Sequence, residues 1–461
     1  MKMNLFKYIK GALLVALMAS VLVSCENRLD ITPFQSISED LALNTEGDVL
    51  VTLTGCYDGT QSASTLGGEI MVLNDLIGNQ TDINFTGTFA GLNDAYNGLM
   101  VSNNSFAAGT WSSAYNTINR CNNVLGALDK VTSTPAKKSS VEGEALFIRA
   151  TLYFELVRLY AKTIGDGNAA SNLGVPLVLQ PTRTVGDADF RSRNTVQEVY
   201  NQIVTDLTRA ETLLPASNGN FATKWAAAAI LSRVHLMLKN YPAARDAANR
   251  VITGSGRALN PDFTKLWFTQ IRNGGATPSE YLYAVKVTTQ DGTNAINTYF
   301  GRTISTIPGT AGRSDCKIKN DHLNRYEAGD TRKFFVLSGG SNYTQKHLDR
   351  FGDVPVVRLA ELYLTRAECN FRSNTTIGAA PLDDVNAIRV RAGLSPLAAV
   401  TLDNITKERA LELAFEGHNL HEAKRLQRSV GKFEWNSPKL IMPIPQREMD
   451  VNKNLVQNEG Y

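Results

Sequence analysis

The feature that most restricts this chain is a succession of apolar stripes at helical spacing. Trp111, Tyr115, Ile118, Cys121, Val124, Leu125 and Leu128 recur mainly at intervals of three and four. That period puts them on one face of an α-helix. Ala145, Ile148, Leu152, Leu156, Leu159 and Tyr160 repeat the pattern after a short polar break, and Val199, Ile203, Leu207, Ala210 and Leu214 repeat it again. Each stripe must be buried against another element, so a chain built this way stacks helix on helix.

An alanine-dense helix at about 223–238 and a second at about 243–252 follow, separated by Asn240-Tyr241-Pro242. Alanine at close-packing positions, with larger residues elsewhere on the stripe, is how tetratricopeptide-like hairpins stack. Earlier helices are expected at about 40–57 and 68–78, and later ones at about 359–371, 382–392 and 405–426. The fold class is therefore mainly α: three to four helical pairs interrupted by one large insert. Two stretches lack the period. Residues 79–109 are rich in Gly, Asn and Thr and read as a long loop with one short helix. The insert at about 260–354 carries one convincing strand, Tyr281 to Val287, and otherwise reads as irregular. Long irregular segments in a compact fold usually carry function.

The N-terminus sets the compartment. Lys2, Lys7 and Lys10 precede an apolar run from Gly11 to Val23, which suits a secretory signal and is too short to span a bilayer. The run ends in Leu22-Val23-Ser24-Cys25, the pattern read by bacterial lipoprotein processing. Cleavage before Cys25 would leave its thiol for acylation, and several acyl chains anchor far more firmly than one. The expected layout is a signal over 1–24, a lipidated tether over 25–39, a helical part over 40–259, the insert over 260–354, and a helical part over 355–461. Removing 24 of 461 residues leaves 437. The chain has 47 Lys+Arg against 44 Asp+Glu, and the signal takes away three Lys and no acid, so 44 of each sign remain. That zero balance, with no basic stripe, argues against a nucleic-acid partner.

Four cysteines remain after Cys25: Cys56, Cys121, Cys316 and Cys369. They are far apart and form no CxxC pair, which argues against zinc. Buried free thiols are the favoured reading, although disulfides are chemically allowed outside the cytoplasm. No Gly-x-Ser-x-Gly, His-Glu-x-x-His or P-loop is present, so no catalytic residue, cofactor or resident metal is expected. His418 and His421, with Glu422, share a helix face; a solvated face is the preferred reading over a metal site.

A series of short motifs adds a resemblance. They are Trp111-x-x-x-Tyr115-x-x-Ile118-x-Arg120-x-Asn122, Gly143 to Ala150 running into Tyr153 to Tyr160, Gly174-Val175-Pro176-Leu177, Asp330-x-Arg332, Asp353 to Glu368, Glu408-Arg409-x-x-Glu412, Glu416-Gly417, and the close at Gln457 to Tyr461. In number and order they resemble the SusD/RagB family of outer-membrane nutrient-binding lipoproteins. The chain departs from the family's usual residues at Asn419, Glu422 and Glu459. The resemblance implies a helical superhelix with a loop-rich part, lipid anchoring at the cell surface, and a hinged lid over a SusC-like TonB-dependent transporter. It also implies binding and delivery of a glycan or peptide without catalysis.

Sugar rings pack their C–H faces on aromatic rings, while Asn, Asp and Arg bond hydroxyls. Aromatics on helical stripes, such as Trp111, Tyr115, Tyr153 and Phe154, belong to the core. The candidates are therefore in the irregular stretches: Asp82, Phe85, Phe89, Asn93 and Tyr96 in the first, and Trp267, Phe268, Tyr299, Phe300 and Arg302 in the insert. Glu408, Arg409, Glu412, Asp330 and Arg332 read as structural ion pairs. Glycan capture leads, with peptide capture as the alternative. A surface glycosidase or a lid with no ligand of its own stands further back.

Overall fold

The computed structural model describes residues 43–183, 186–271 and 274–461. The signal, Cys25 and the tether lie outside the described residues. Thr45–Tyr461 is one compact unit.

Most of the long helices begin where the sequence offers a side-chain cap. Helix α1 (Glu46–Gln61) starts at a Thr45/Asp48 capping box and runs one turn beyond the expected end. Helix α2 is Glu69–Gly78, strand β1 is Ile83–Phe85, and α3 is Ala90–Asn97. Helix α4 (Ser105–Gly126) opens on Asn104, whose side-chain oxygen accepts from the Phe106 and Ala107 amides. Thr134 and Pro135 start α5 (Pro135–Tyr160), Thr195 starts α6 (Val196–Leu213), and Thr223 starts α7 (Lys224–Met237). Asn240 caps α8 (Tyr241–Gly254), so the Asn-Tyr-Pro break works as helix-start chemistry.

From α4 onward each helix packs on the next, and α1 closes the first end against α4. Ala226, Ala227, Ala228 and Ala229 on α7 are all buried, which lets α6 and α8 approach from either side. The array then skips about a hundred residues and resumes with α11, defined below, which packs on α8.

The skipped segment is more ordered than its composition suggests. It contributes β2 (Tyr281–Val285), α9 (Ala295–Phe300), β3 (Cys316–Ile318), α10 (Asn320–Leu323), β4 (Phe335–Ser338) and β5 (Ser341–Thr344). Strand β6 (Val354–Arg358) pairs antiparallel with β2 and leads into α11 (Leu359–Ser373). The other sheet has the order β1-β3-β5-β4, with Ile83 opposite Ile318 and Phe85 opposite Cys316. The two irregular stretches are thus stitched together by one antiparallel ladder whose paired residues are over two hundred positions apart.

Helices α12 (Pro381–Arg391), α13 (Leu402–Glu412), α14 (Asn419–Arg425) and α15 (Gln446–Val451) complete the chain. A single helix at 405–426 was expected; the structure breaks it. Phe415 (φ 63°) and Gly417 (φ 75°) sit in the left-handed region, and a Cβ on Gly417 would lie 2.8 Å from the Met71 backbone. The break turns α14 onto α2, with the Gly417 amide donating to Asp75 Oδ2 at 3.1 Å. His421 on α14 is buried, which corrects the expectation of a solvated helix face. Burial holds the His421 imidazole well below its ordinary pKa, and the neighbouring Arg158 and Lys424 charges push it the same way. No group of three or more His, Cys, Asp and Glu side chains comes together in metal-binding geometry among the described residues. Cys56, Cys121, Cys316 and Cys369 are buried free thiols.

A buried charge network joins the insert to the last helices. Arg358 donates to Glu280 Oε1 (3.0 Å), Glu416 Oε2 (2.8 Å) and the Glu412 carbonyl (2.7 Å). Lys346 reaches Glu416 at 2.7 Å, Arg332 reaches Glu408 at 2.7 Å, and Arg389 joins the same carboxylate at 2.6 Å. These groups are almost fully buried, so each charge depends on its partners. The family-motif acids and arginines are structural pairs, as their sequence reading expects. Glu422, one of the departures, pairs with Arg409 and Arg425, and Asn419 donates to Asn79 Oδ1 and the Gly78 carbonyl.

Candidate ligand-binding site

The β1–β3 ladder brings together residues from three stretches. Phe89, just before α3, has its ring 5.8 Å from that of Tyr299 on α9, edge to face. Phe106, in the first turn of α4, lies 6.0 Å from Phe89 and 6.3 Å from Tyr299. Phe89 is 41% exposed, Phe106 half-buried and Tyr299 buried beneath them. Phe89 thus stands exposed at the head of a ring cluster rather than inside one.

Arg313 supplies the polar side. Its guanidinium lies 4.7 Å from the Phe89 ring centroid, and it donates to Asp315 Oδ2 and Thr88 Oγ1, both at 2.9 Å. Three contacts hold this planar fork in one place, which is what bidentate hydroxyl or carboxylate recognition needs. On the other side, Tyr299 donates to Glu69 Oε1 at 3.2 Å, and Ser64 donates to Glu69 Oε2 at 2.8 Å. Burial and the Glu69 carboxylate push the Tyr299 phenol above its ordinary range, so it stays a neutral donor. Beside this pair a polar cleft of about 620 Å³ opens between the α1–α2 turn, α4 and residues 286–295, lined among others by Ser62, Asn116 and Asp291.

The candidates chosen from sequence divide sharply. Phe89 and Tyr299 come together. Asn93 and Tyr96 stand behind them as props: Asn93 donates to the Gly87 carbonyl and Tyr96 to that of Ile83, at 2.8 and 2.9 Å. Phe85 is buried against Tyr96. Arg302 is pinned to Ser338 and lies over the Tyr343 ring. Asp82 is buried at the far end of β1, paired with His322 and Arg325, and those partners keep its carboxyl below the usual range against the cost of burial. Trp267 is corrected to a core residue: it is 2% exposed and sits in a cluster with Phe263, Phe268 and Tyr281, beneath Lys346. Phe300 is buried against His347 and Phe415. Phe106 and Arg313 were missed. Phe106 lay within the Gly-, Asn- and Thr-rich stretch two residues after the capping Asn104, and that position on a helix's first turn was the available signal.

Comparison with known proteins agrees with this architecture. Residues 36–236 match a family model described as starch-binding and associating with the outer membrane, and residues 317–439 match the SusD family model. The chain is 25% identical to SusD-like protein P2 of Formosa agariphila over 511 aligned positions, covering 95% of this chain and 97% of that one. It is 33% identical to the starch-binding protein SusD of Bacteroides thetaiotaomicron over 123 positions, covering 24% and 22% of the two chains. The solved structure of a SusD superfamily protein from Bacteroides vulgatus superimposes with a TM-score of 0.80 at 23% identity, covering 91% of this chain and 99% of that one. No helix among the described residues is long and apolar enough to cross a membrane. With both halves of its helical array matched and its whole fold shared, the chain belongs to the SusD/RagB family of glycan-binding, outer-membrane-associated proteins.

Proposed function

We propose that this protein captures an oligosaccharide at the cell surface, held there by lipid on Cys25, and passes it to a partner SusC-like TonB-dependent transporter without chemical change. The exposed Phe89 against the half-buried Phe106, backed by Tyr299 and flanked by the fixed Arg313 guanidinium, carries the reading. An apolar C–H face of a sugar would lie on the exposed rings, while Arg313, Thr88 and the Glu69 carboxylate meet its hydroxyls. Glu69 is engaged by Ser64 and Tyr299, and Asp315 by Arg313, so neither stands free as an acid or nucleophile. That supports capture rather than glycosidic cleavage, which needs two carboxyl groups facing each other across the bond.

The test is isothermal titration of the chain lacking residues 1–25, against plant, host and microbial oligosaccharides and against mixed oligopeptides. Heat with a glycan that Phe89→Ala removes supports the reading. Heat only with peptides replaces it with peptide capture. Product formation during the titration would replace capture with hydrolysis.

A further inference from the structure

A second cleft, of about 600 Å³, lies on the same helix α4, between it, residues 176–182 and 189–191, and α15. That volume is in the range of sites for small organic ligands. Its floor is aromatic and apolar: Trp111 and Tyr115, with centroids 4.9 Å apart, together with the half-buried Phe190 and the buried Leu455. The walls are fixed. Asn119 exchanges bonds with the Thr182 amide and carbonyl at 2.8 and 3.1 Å, and Asn452 and Asn454 donate to the carbonyls of Arg191 and Phe190.

The rim is different. The side chains of Asn116, Arg191, Arg447 and Glu448 also line this cleft, yet make no hydrogen bond or ion pair with any described residue. Two guanidinium groups, an amide and a carboxylate left unpartnered around an aromatic floor are a donor and acceptor set for hydroxyl groups. The geometry points to this cleft as a second carbohydrate-binding site, taking pyranose rings of the glycan that the Phe89 cluster holds; it rests on the glycan reading given above. Phe106 and Tyr115 are nine residues apart on one helix, about 14 Å along its axis. Two sites on one rigid element act on a long chain at high effective concentration, so a polymer gains from both and a short oligosaccharide does not.

The experiment compares soluble starch with maltoheptaose, and laminarin with its hexasaccharide, on the wild-type chain, Phe89→Ala, Phe190→Ala and Arg447→Ala. Arg447 is exposed and without a partner, so its variant tests the cleft even if Phe190→Ala folds poorly. Expected are two oligosaccharides per wild-type chain and one in each site variant. Arg447→Ala and Phe190→Ala should weaken the polymer at least tenfold and leave oligosaccharide affinity at the Phe89 site within twofold. One oligosaccharide per wild-type chain, with polymer affinity untouched by both cleft variants, overturns the second site and leaves the first standing. Absence of binding by the wild-type chain to every glycan overturns both.

Discussion

Two aromatic clusters in the irregular parts of this molecule have nearly the same composition and opposite fates. Around Trp267, rings from Phe263, Phe268 and Tyr281 are sealed, and Lys346 and Arg358 lie over the indole. Around Phe89, rings from Phe106 and Tyr299 are partly open, and Arg313 lies over the exposed phenyl. What separates them is where the cation's counter-charges sit. Lys346 and Arg358 are matched by Glu412 and Glu416 from the other side of the core, which closes the structure over the rings. Arg313 is matched by Asp315, two residues away on its own segment, which leaves the ring's surroundings open. In this pair of clusters the ring is sealed where the matching carboxylates come from a distant segment and open where the carboxylate is a near neighbour in the chain.

The strongest way to break this contrast is at the buried side. Arg358→Ala removes the cation that Glu280, Glu412 and Glu416 share, leaving Lys346 to Glu416 and Arg391 to the other two, and should destabilise the fold by about 3–5 kcal/mol, read as a lower urea midpoint. A loss below about 1 kcal/mol would mean the network does not seal the cluster. Trp267→Ala should cost about 3–5 kcal/mol in the same assay through the cavity it leaves. Phe89→Ala should change stability by no more than about 0.5 kcal/mol, as an exposed substitution, while glycan binding falls at least tenfold in titration. Equal stability losses for the two aromatic variants would erase the distinction.

Smaller and subtler is the pH dependence. The Arg358 and Lys346 charges hold the Glu416 carboxyl down at about 2, against its burial. A depressed carboxyl stabilises the folded state above its unfolded pKa of about 4.5, and that contribution is lost as pH falls from there towards 2. Asp75 has the opposite sign. Burial raises its carboxyl to about 8, and Glu416 nearby adds to the rise. Its contribution is present below about pH 4 and is lost as pH rises towards 8. Asp75→Asn should therefore flatten the stability profile between pH 5 and 8 and leave the acid limb intact, as thermal melts across that range would record. An unchanged slope in that window would assign it to another group.

The helical array was legible because period, caps and alanine packing are all local. Asn240 with Pro242 marked a helix start, and the Ala226–Ala229 run marked a tight interface, without reference to anything distant. The site was legible only in part. Phe89 and Tyr299 were both chosen, yet nothing in sequence said that they meet, because the contact depends on β1 finding β3. Trp267 was chosen for the same reasons as Phe89, and its burial depends on Lys346 and Glu416, about 80 and 150 residues further on. Likewise, Gly417 carried no local sign that Met71 would press against it and break the helix there.

The ladder between β1 and β3 has a consequence for biogenesis. Every polar and ring contact joining the front of the chain to Tyr299 closes a loop of about 190 residues or more, as the Phe106–Tyr299 contact and the Tyr299–Glu69 bond do. Loops of that length close slowly and late. A chain emerging from the ribosome or the export channel can thus assemble its first helical hairpins long before it owns a recognition surface. On the capture reading, a chain that has not yet closed this ladder lacks the Phe89–Tyr299 contact and cannot hold a ligand there.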